Sequence, residues 1–86
     1  MPNAEIWLYG SRARGDWHAD SDWDILVLTD SEVDWRTELK INDLIYDLEL
    51  ETGEIITVFV YKRDFWNKNP IISFFRENVE KEKIVI

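Results

Sequence analysis

The sequence predicts an α/β domain in which a small mixed sheet of three to four strands carries helices packed on it. Two runs of β-forming apolar residues, at 23–29 and 54–61, supply the sheet. Two apolar stripes at helical spacing, one between those runs and one after them, supply the helices.

Each element follows in order. Ile6 to Tyr9 is a short apolar run that ends at Gly10, as a strand running into a turn would. Ser11 opens a short helical turn, and the polar stretch from Gly15 to Ser21 reads as a loop. Trp23 to Thr29, WDILVLT, has the near-continuous apolar character of a central strand covered on both faces, with Asp24 as the exception. Ser31, with Asp34 three positions later, resembles an N-cap and capping box for a helix that carries Ile41, Leu44, Ile45 and Leu48 and stops at Gly53. Glu54 to Tyr61 reads as a third strand. Asn69 and Pro70 suit the cap and first position of a second helix, with Ile71, Phe74, Phe75 and Val79 as its packing stripe. Ile84 to Ile86 would add an edge strand. The first strand begins almost at the amino terminus, so something else is expected to cover that part of the sheet.

With 86 residues, no internal repeat and no Pro/Gly/Ser linker, residues 1–86 read as a single domain. The absence of cysteine excludes disulfides and thiolate metal sites and gives no hint of an oxidising compartment. No basic-then-apolar leader and no membrane-length apolar run is present, so a soluble cytoplasmic protein without membrane contact is expected. A net charge of −8 argues against extended nucleic-acid binding, which depends on Lys and Arg neutralising successive phosphates. Glu80, Lys81, Glu82 and Lys83 alternate in sign and read as a solvated surface. Five tryptophans are a large load for so small a core: they are either buried over most of their area or mark a contact surface.

Chemistry concentrates between residues 10 and 24. Asp22 and Asp24 flank Trp23 at the start of a strand, where alternate side chains share a face. Two carboxylates so close repel, and a divalent cation such as Mg²⁺ resolves the conflict because it takes oxygen ligands and keeps positions open for phosphate oxygens. Taken alone, the pair also fits a turn-capping Asp22 and a solvated Asp24. Gly10 and Ser11, followed by Arg12, Arg14 and Gly15, lie where a strand turns into a helix, an arrangement that can hold a phosphate or can be an ordinary turn with exposed arginines. On consecutive strand ends the two elements together describe a metal–triphosphate site.

The stretches Gly10-Ser11-Arg12-Ala13-Arg14-Gly15 and Ser21-Asp22-Trp23-Asp24 resemble the G-S-x-A-x-G and S-D-x-D half-motifs of the DNA polymerase beta-like nucleotidyltransferases, above all their minimal prokaryotic members. The resemblance extends over most of the chain and implies that family's fold. It further implies that Gly10, Ser11, Arg14 and Ser21 bind the nucleotide, that Asp22 and Asp24 are catalytic and bind Mg²⁺ or Mn²⁺, and that a nucleoside monophosphate passes from an NTP, with ATP the expected one, to an acceptor. Minimal members are often paired with a helical HEPN protein in toxin–antitoxin systems, so a protein acceptor or partner of that kind is expected, with an oligomer possible. Active members place a third carboxylate on the next strand, where this chain has Thr57; Glu51 and Glu54 lie too far along the chain to be obvious replacements. The family's usual helix before the first strand also has no counterpart. The other reading is therefore a non-catalytic nucleotide-binding or antitoxin module that binds a partner. A small-molecule modifier like the antibiotic nucleotidyltransferases would need an additional substrate domain. Trp17 is read as a loop side chain rather than a base platform, His18 as solvated, Trp23 as core, and the Phe74/Phe75 pair as a packing face.

Overall fold

The computed structural model describes residues 3–86. It contains β1 (Glu5–Tyr9), α1 (Ser11–Arg14), β2 (Trp23–Thr29), α2 (Trp35–Thr52), β3 (Ile56–Lys62), α3 (Arg63–Lys68), a 3-10 turn (Pro70–Ile72), α4 (Ser73–Glu82) and β4 (Ile84–Val85). The four strands form one mixed sheet in the order β3-β2-β1-β4, with β2 and β3 parallel and the other pairs antiparallel. The parallel pair requires a long crossover, which α2 provides, whereas the antiparallel β1 and β2 are joined by the one-turn α1 and the loop of residues 15–22. The α/β class and mixed sheet expected from the sequence are those observed.

Each face of the sheet is apolar, but the two are covered differently. On one face Trp7, Tyr9, Leu26 and Leu28 pack with Trp66 of α3 and Val79 of α4 to form the core, with Tyr61, Ile72 and Phe75 at its margin. Its aromatic rings meet mostly edge to face: Trp7 on Trp66 at 5.9 Å, Trp66 on Phe75 at 5.8 Å and Tyr9 on Phe75 at 5.6 Å between centroids. On the other face α2 stands off the sheet and leaves an open groove of about 520 Å³ between Ile41, Ile45 and Leu48 of the helix and Ile6, Ile25 and Val27 of the strands. No residue of α2 is fully buried.

Several boundaries differ from the sequence expectation. The N-cap of α2 is Asp34, whose carboxylate accepts hydrogen bonds from the Thr37 N–H at 2.9 Å and the Thr37 hydroxyl at 3.0 Å. Ser31 is not the cap, because the helix begins only at Trp35; its N–H donates to the Thr29 hydroxyl in the turn that ends β2. Gly53 does end α2, adopting φ 72° and donating its N–H to the Glu49 carbonyl. β3 begins at Ile56 rather than Glu54. Six residues with no readable periodicity form α3, which the sequence did not announce, and it carries the fully buried Trp66. Asn69 caps Ile71 as expected, at 2.9 Å, but starts a 3-10 turn, with α4 proper beginning at Ser73. That shift in phase turns Ile71 (89% exposed) and Phe74 (83% exposed) outward, so the packing stripe is Ile72, Phe75 and Val79. Of the tryptophans, Trp7 and Trp66 are core, Trp23 is half-buried, and Trp17 and Trp35 lie largely in water.

Candidate functional site

Antiparallel pairing sets Tyr9 opposite Asp24, which brings the turn at the end of β1 against the start of β2. Gly10 adopts φ 76° and ψ −161°, a region open essentially to glycine. Its lack of a side chain is also used directly: a Cβ there would stand 2.3 Å from Asp24 Oδ2 and 3.1 Å from its Cγ. The Asp24 carboxylate therefore lies on the glycine backbone. Ser11 begins α1, whose single turn is closed by the Ala13 and Arg14 amides donating to the Gly10 carbonyl, each at 3.0 Å.

Asp24 is half-buried, and burial first, then the negative charges of Asp22 and Glu82, hold its carboxyl above the usual carboxylate range. Arg14 only partly offsets them. Asp22 is exposed just before the strand. The Tyr9 hydroxyl is pushed well above its ordinary range, chiefly by burial and next by Asp24, so it stays a neutral wall of the site. Thr57 is in register with Asp24 on the adjacent parallel strand, so the position expected for a third carboxylate is indeed adjacent and holds a hydroxyl.

Other sequence-selected residues are distributed less simply. Arg14 donates from Nη1 to Glu82 Oε2 at 2.8 Å and from Nε to Asp16 at 3.3 Å. The Ser21 hydroxyl is occupied by the His18 N–H at 3.0 Å and closes the loop. His18 is exposed, as expected, and its Nδ1 accepts the Asp20 N–H at 3.3 Å. Trp23 is not core: it lines the open groove and stacks on the Arg12 guanidinium, which lies 4.3 Å from its ring centroid. Arg12 also reaches Glu54 at 3.4 Å, which ties that carboxylate to a side chain on the groove side of the sheet.

Glu82 is the residue the sequence did not disclose. Read as part of a solvated run, its carboxylate is instead mostly buried and accepts the Gly10 N–H through Oε1 at 2.9 Å as well as the Arg14 guanidinium. The correction extends to its neighbour Lys83, whose ammonium stands 3.8 Å over the Trp7 ring. The carboxylate faces the site from 72 positions away in sequence, and no local pattern signals such a contact.

Among the described residues no group of three or more His, Asp or Glu side chains is arranged to hold a metal ion by itself. Asp22 and Asp24 nonetheless offer an all-oxygen pair of like charge, one of them held above the usual carboxylate range first by burial and then by its acidic neighbours. That donor set fits a small hard cation that completes its shell with water and phosphate.

The fold and the site define an α/β domain built around a glycine turn and a paired-carboxylate strand. The family profile of the nucleotidyltransferase domain matches residues 1–86, and the chain belongs to this family of transferase enzymes. It is 35% identical over 81 residues to a Methanocaldococcus jannaschii protein with the provisional name protein adenylyltransferase MJ0604, covering 94% of this chain and 76% of that one. In fold it is similar to a crystal structure of a toxin–antitoxin with AMP-PNP, at TM-score 0.66 and 20% identity. A structure of a mutant toxin–antitoxin MntA-HpeT is similar at TM-score 0.64 and 17% identity. Each match covers 99% of this chain, which spans 61% of the length of those chains.

Proposed function

We propose that the chain binds a Mg²⁺- or Mn²⁺-complexed NTP, with ATP the favoured nucleotide, and transfers its nucleoside monophosphate to a protein acceptor. The observation that carries this reading is the packing of the Asp24 carboxylate on the Gly10 backbone, which juxtaposes a metal-type donor and a phosphate-type turn. Gly10 and Ser11 would hold the phosphates, with Arg14 as an added donor once it leaves Glu82, and Ser21 would shape the loop beside them. Asp22 and Asp24 would hold the cation, which when bound neutralises phosphate charge and helps align the triphosphate. An acceptor oxygen then forms a bond to the α-phosphorus as the bond to pyrophosphate breaks, and the acceptor proton passes to solvent or to a neighbouring base.

The relatives support a protein acceptor: one is named as a protein adenylyltransferase, and the structural neighbours are toxin–antitoxin proteins. A helical HEPN-type toxin, encountered in the cytoplasm, is the partner this reading favours. The test is incubation of the chain, Mg²⁺ and α-labelled ATP with such a partner. Label on the partner with stoichiometric pyrophosphate, abolished when Asp22 and Asp24 are both changed to Asn, is the expected result; transfer that survives the double change refutes the mechanism.

Thr57 in register with Asp24 supports a second reading, a nucleotide-binding antitoxin module without turnover. Nucleotide and partner would then bind, with no pyrophosphate released.

A further inference from the structure

Arg12 lies outside the set of residues assigned to the nucleotide, yet it is among the most constrained side chains near it. Its guanidinium sits between two indoles, 4.5 Å from the Trp17 ring centroid and 4.3 Å from that of Trp23. The side chain is only 7% exposed. Its Nη2 donates to the Ser21 carbonyl at 3.0 Å, and its Nε is buried with no hydrogen-bond partner among the described residues. A planar cation accepts that loss where stacking on two ring faces compensates it, which an ammonium could not do in the same way.

The location of this stack gives it a consequence. Arg12 belongs to α1, the turn after Gly10 and Ser11, whereas Ser21 immediately precedes Asp22. Residues 14–20 between them are all exposed, and among the described residues the other hydrogen bonds of residues 16–21 stay within residues 14–21. Asp24 is fixed by the β2 ladder, but Asp22 lies outside it. The β1–β2 pairing already holds Asp24 against the phosphate-type turn, and the Arg12 bridge, capped by Trp17, adds a direct link from that turn to residue 21, just ahead of Asp22.

We propose that Arg12, clamped between Trp17 and Trp23, is a positioning residue that sets Asp22 relative to Gly10 and Ser11 and so completes the cation–triphosphate site. The proposal rests on the function proposed above. It assigns Trp17 to the loop clamp and not to the nucleobase. Loosening the clamp leaves the fold in place and lowers the fraction of molecules with Asp22 in position.

Trp17 is 52% exposed, so its replacement tests the clamp without emptying the core. Binding of AMP-PNP and of inorganic tripolyphosphate, each with Mg²⁺, is measured by calorimetry for the wild type, Trp17→Ala, Trp17→Phe and Arg12→Lys. The expected loss for Trp17→Ala is about three- to tenfold, the size of one partly desolvated cation–π contact. It is the same for both probes because the clamp acts on the cation and phosphates. Trp17→Phe retains an aromatic face and should stay within about twofold of the wild type, while Arg12→Lys, which cannot stack and bridge together, should lose at least as much as Trp17→Ala. The unliganded thermal midpoint of Trp17→Ala should fall by no more than a few degrees. Unchanged affinity in Trp17→Ala, or failure of Trp17→Phe to restore it, overturns the proposal. A loss confined to AMP-PNP also overturns it and makes Trp17 a base platform. If the wild type itself binds neither probe, the proposed function falls and the positioning role with it.

Discussion

Replacing Gly10 with alanine would put a methyl carbon 2.3 Å from Asp24 Oδ2, and turning the carboxylate about its Cβ–Cγ bond does not clear it, because Asp24 Cγ and Cβ stand at 3.1 and 3.3 Å, so the whole side chain must shift. The new residue must also hold φ 76° and ψ −161°, which costs a non-glycine residue about 1–3 kcal/mol. Crowding of this severity adds roughly another 1–3 kcal/mol. The sum, about 2–6 kcal/mol, corresponds to a fall in thermal midpoint on the order of 10 °C or more for a domain of this size. Urea or thermal unfolding of Gly10→Ala reads it directly. The same change made in an Asp24→Ala background separates the two contributions, because the contacts with Oδ2 and Cγ disappear and chiefly the backbone cost remains. A Gly10→Ala penalty under about 0.5 kcal/mol, or an equal penalty in both backgrounds, would refute the claim that Asp24 packs on the glycine backbone.

Other consequences are equally direct. Burial holds the Asp24 carboxyl above its unfolded value, so its contribution to stability is most favourable at low pH and declines as pH rises through the folded pKa. Asp24→Asn should therefore stabilise the metal-free protein at pH 7 and gain little at pH 3, as read by urea denaturation at the two pH values. Glu82→Gln removes a carboxylate from the Gly10 amide and the Arg14 guanidinium, and calorimetry should find tripolyphosphate with Mg²⁺ binding a few-fold more tightly. Weaker binding would mean that Glu82 supports the anion site instead of competing for it. Trp66→Ala should cost about 3–5 kcal/mol and leave the domain close to unfolding, whereas Leu48→Ala, 44% exposed along the open groove, should cost about 1 kcal/mol or less by chemical denaturation.

What the sequence made legible and what it concealed divide along the range of the interactions. WDILVLT and ITVFVYK announce their strands because β-branched and aromatic residues crowd within seven positions, and the Gly53 stop of α2 is a one-residue signal. The α3 segment, RDFWNK, is too short to show a helical period, and its single anchor, Trp66, is recognisable only once the core exists. Phe74 was misplaced because the 3-10 turn at Pro70 changes the angular step per residue and rotates the stripe that follows. At the candidate site, Asp22, Asp24, Gly10 and Ser11 stand out because their spacing is local, and the β1–β2 pairing supplies their proximity. Glu82 and the Arg12 stack were hidden for the opposite reason. One requires a contact across 72 positions; the other requires knowing that Trp17 and Trp23 fold over the same guanidinium.

The central claim is that one cation–triphosphate site is formed by the Gly10–Ser11 turn with Asp22 and Asp24. The most direct test is thermal unfolding with ATP in the presence and absence of Mg²⁺, for the wild type and an Asp22→Asn, Asp24→Asn double variant. At a hundredfold excess over the dissociation constant, ligand adds about 2.7 kcal/mol, a shift on the order of 10 °C or more for a small domain. The account predicts that shift in the wild type only when Mg²⁺ is present, and its loss in the double variant. A shift of the same size in both proteins, or none with any nucleotide, would contradict it.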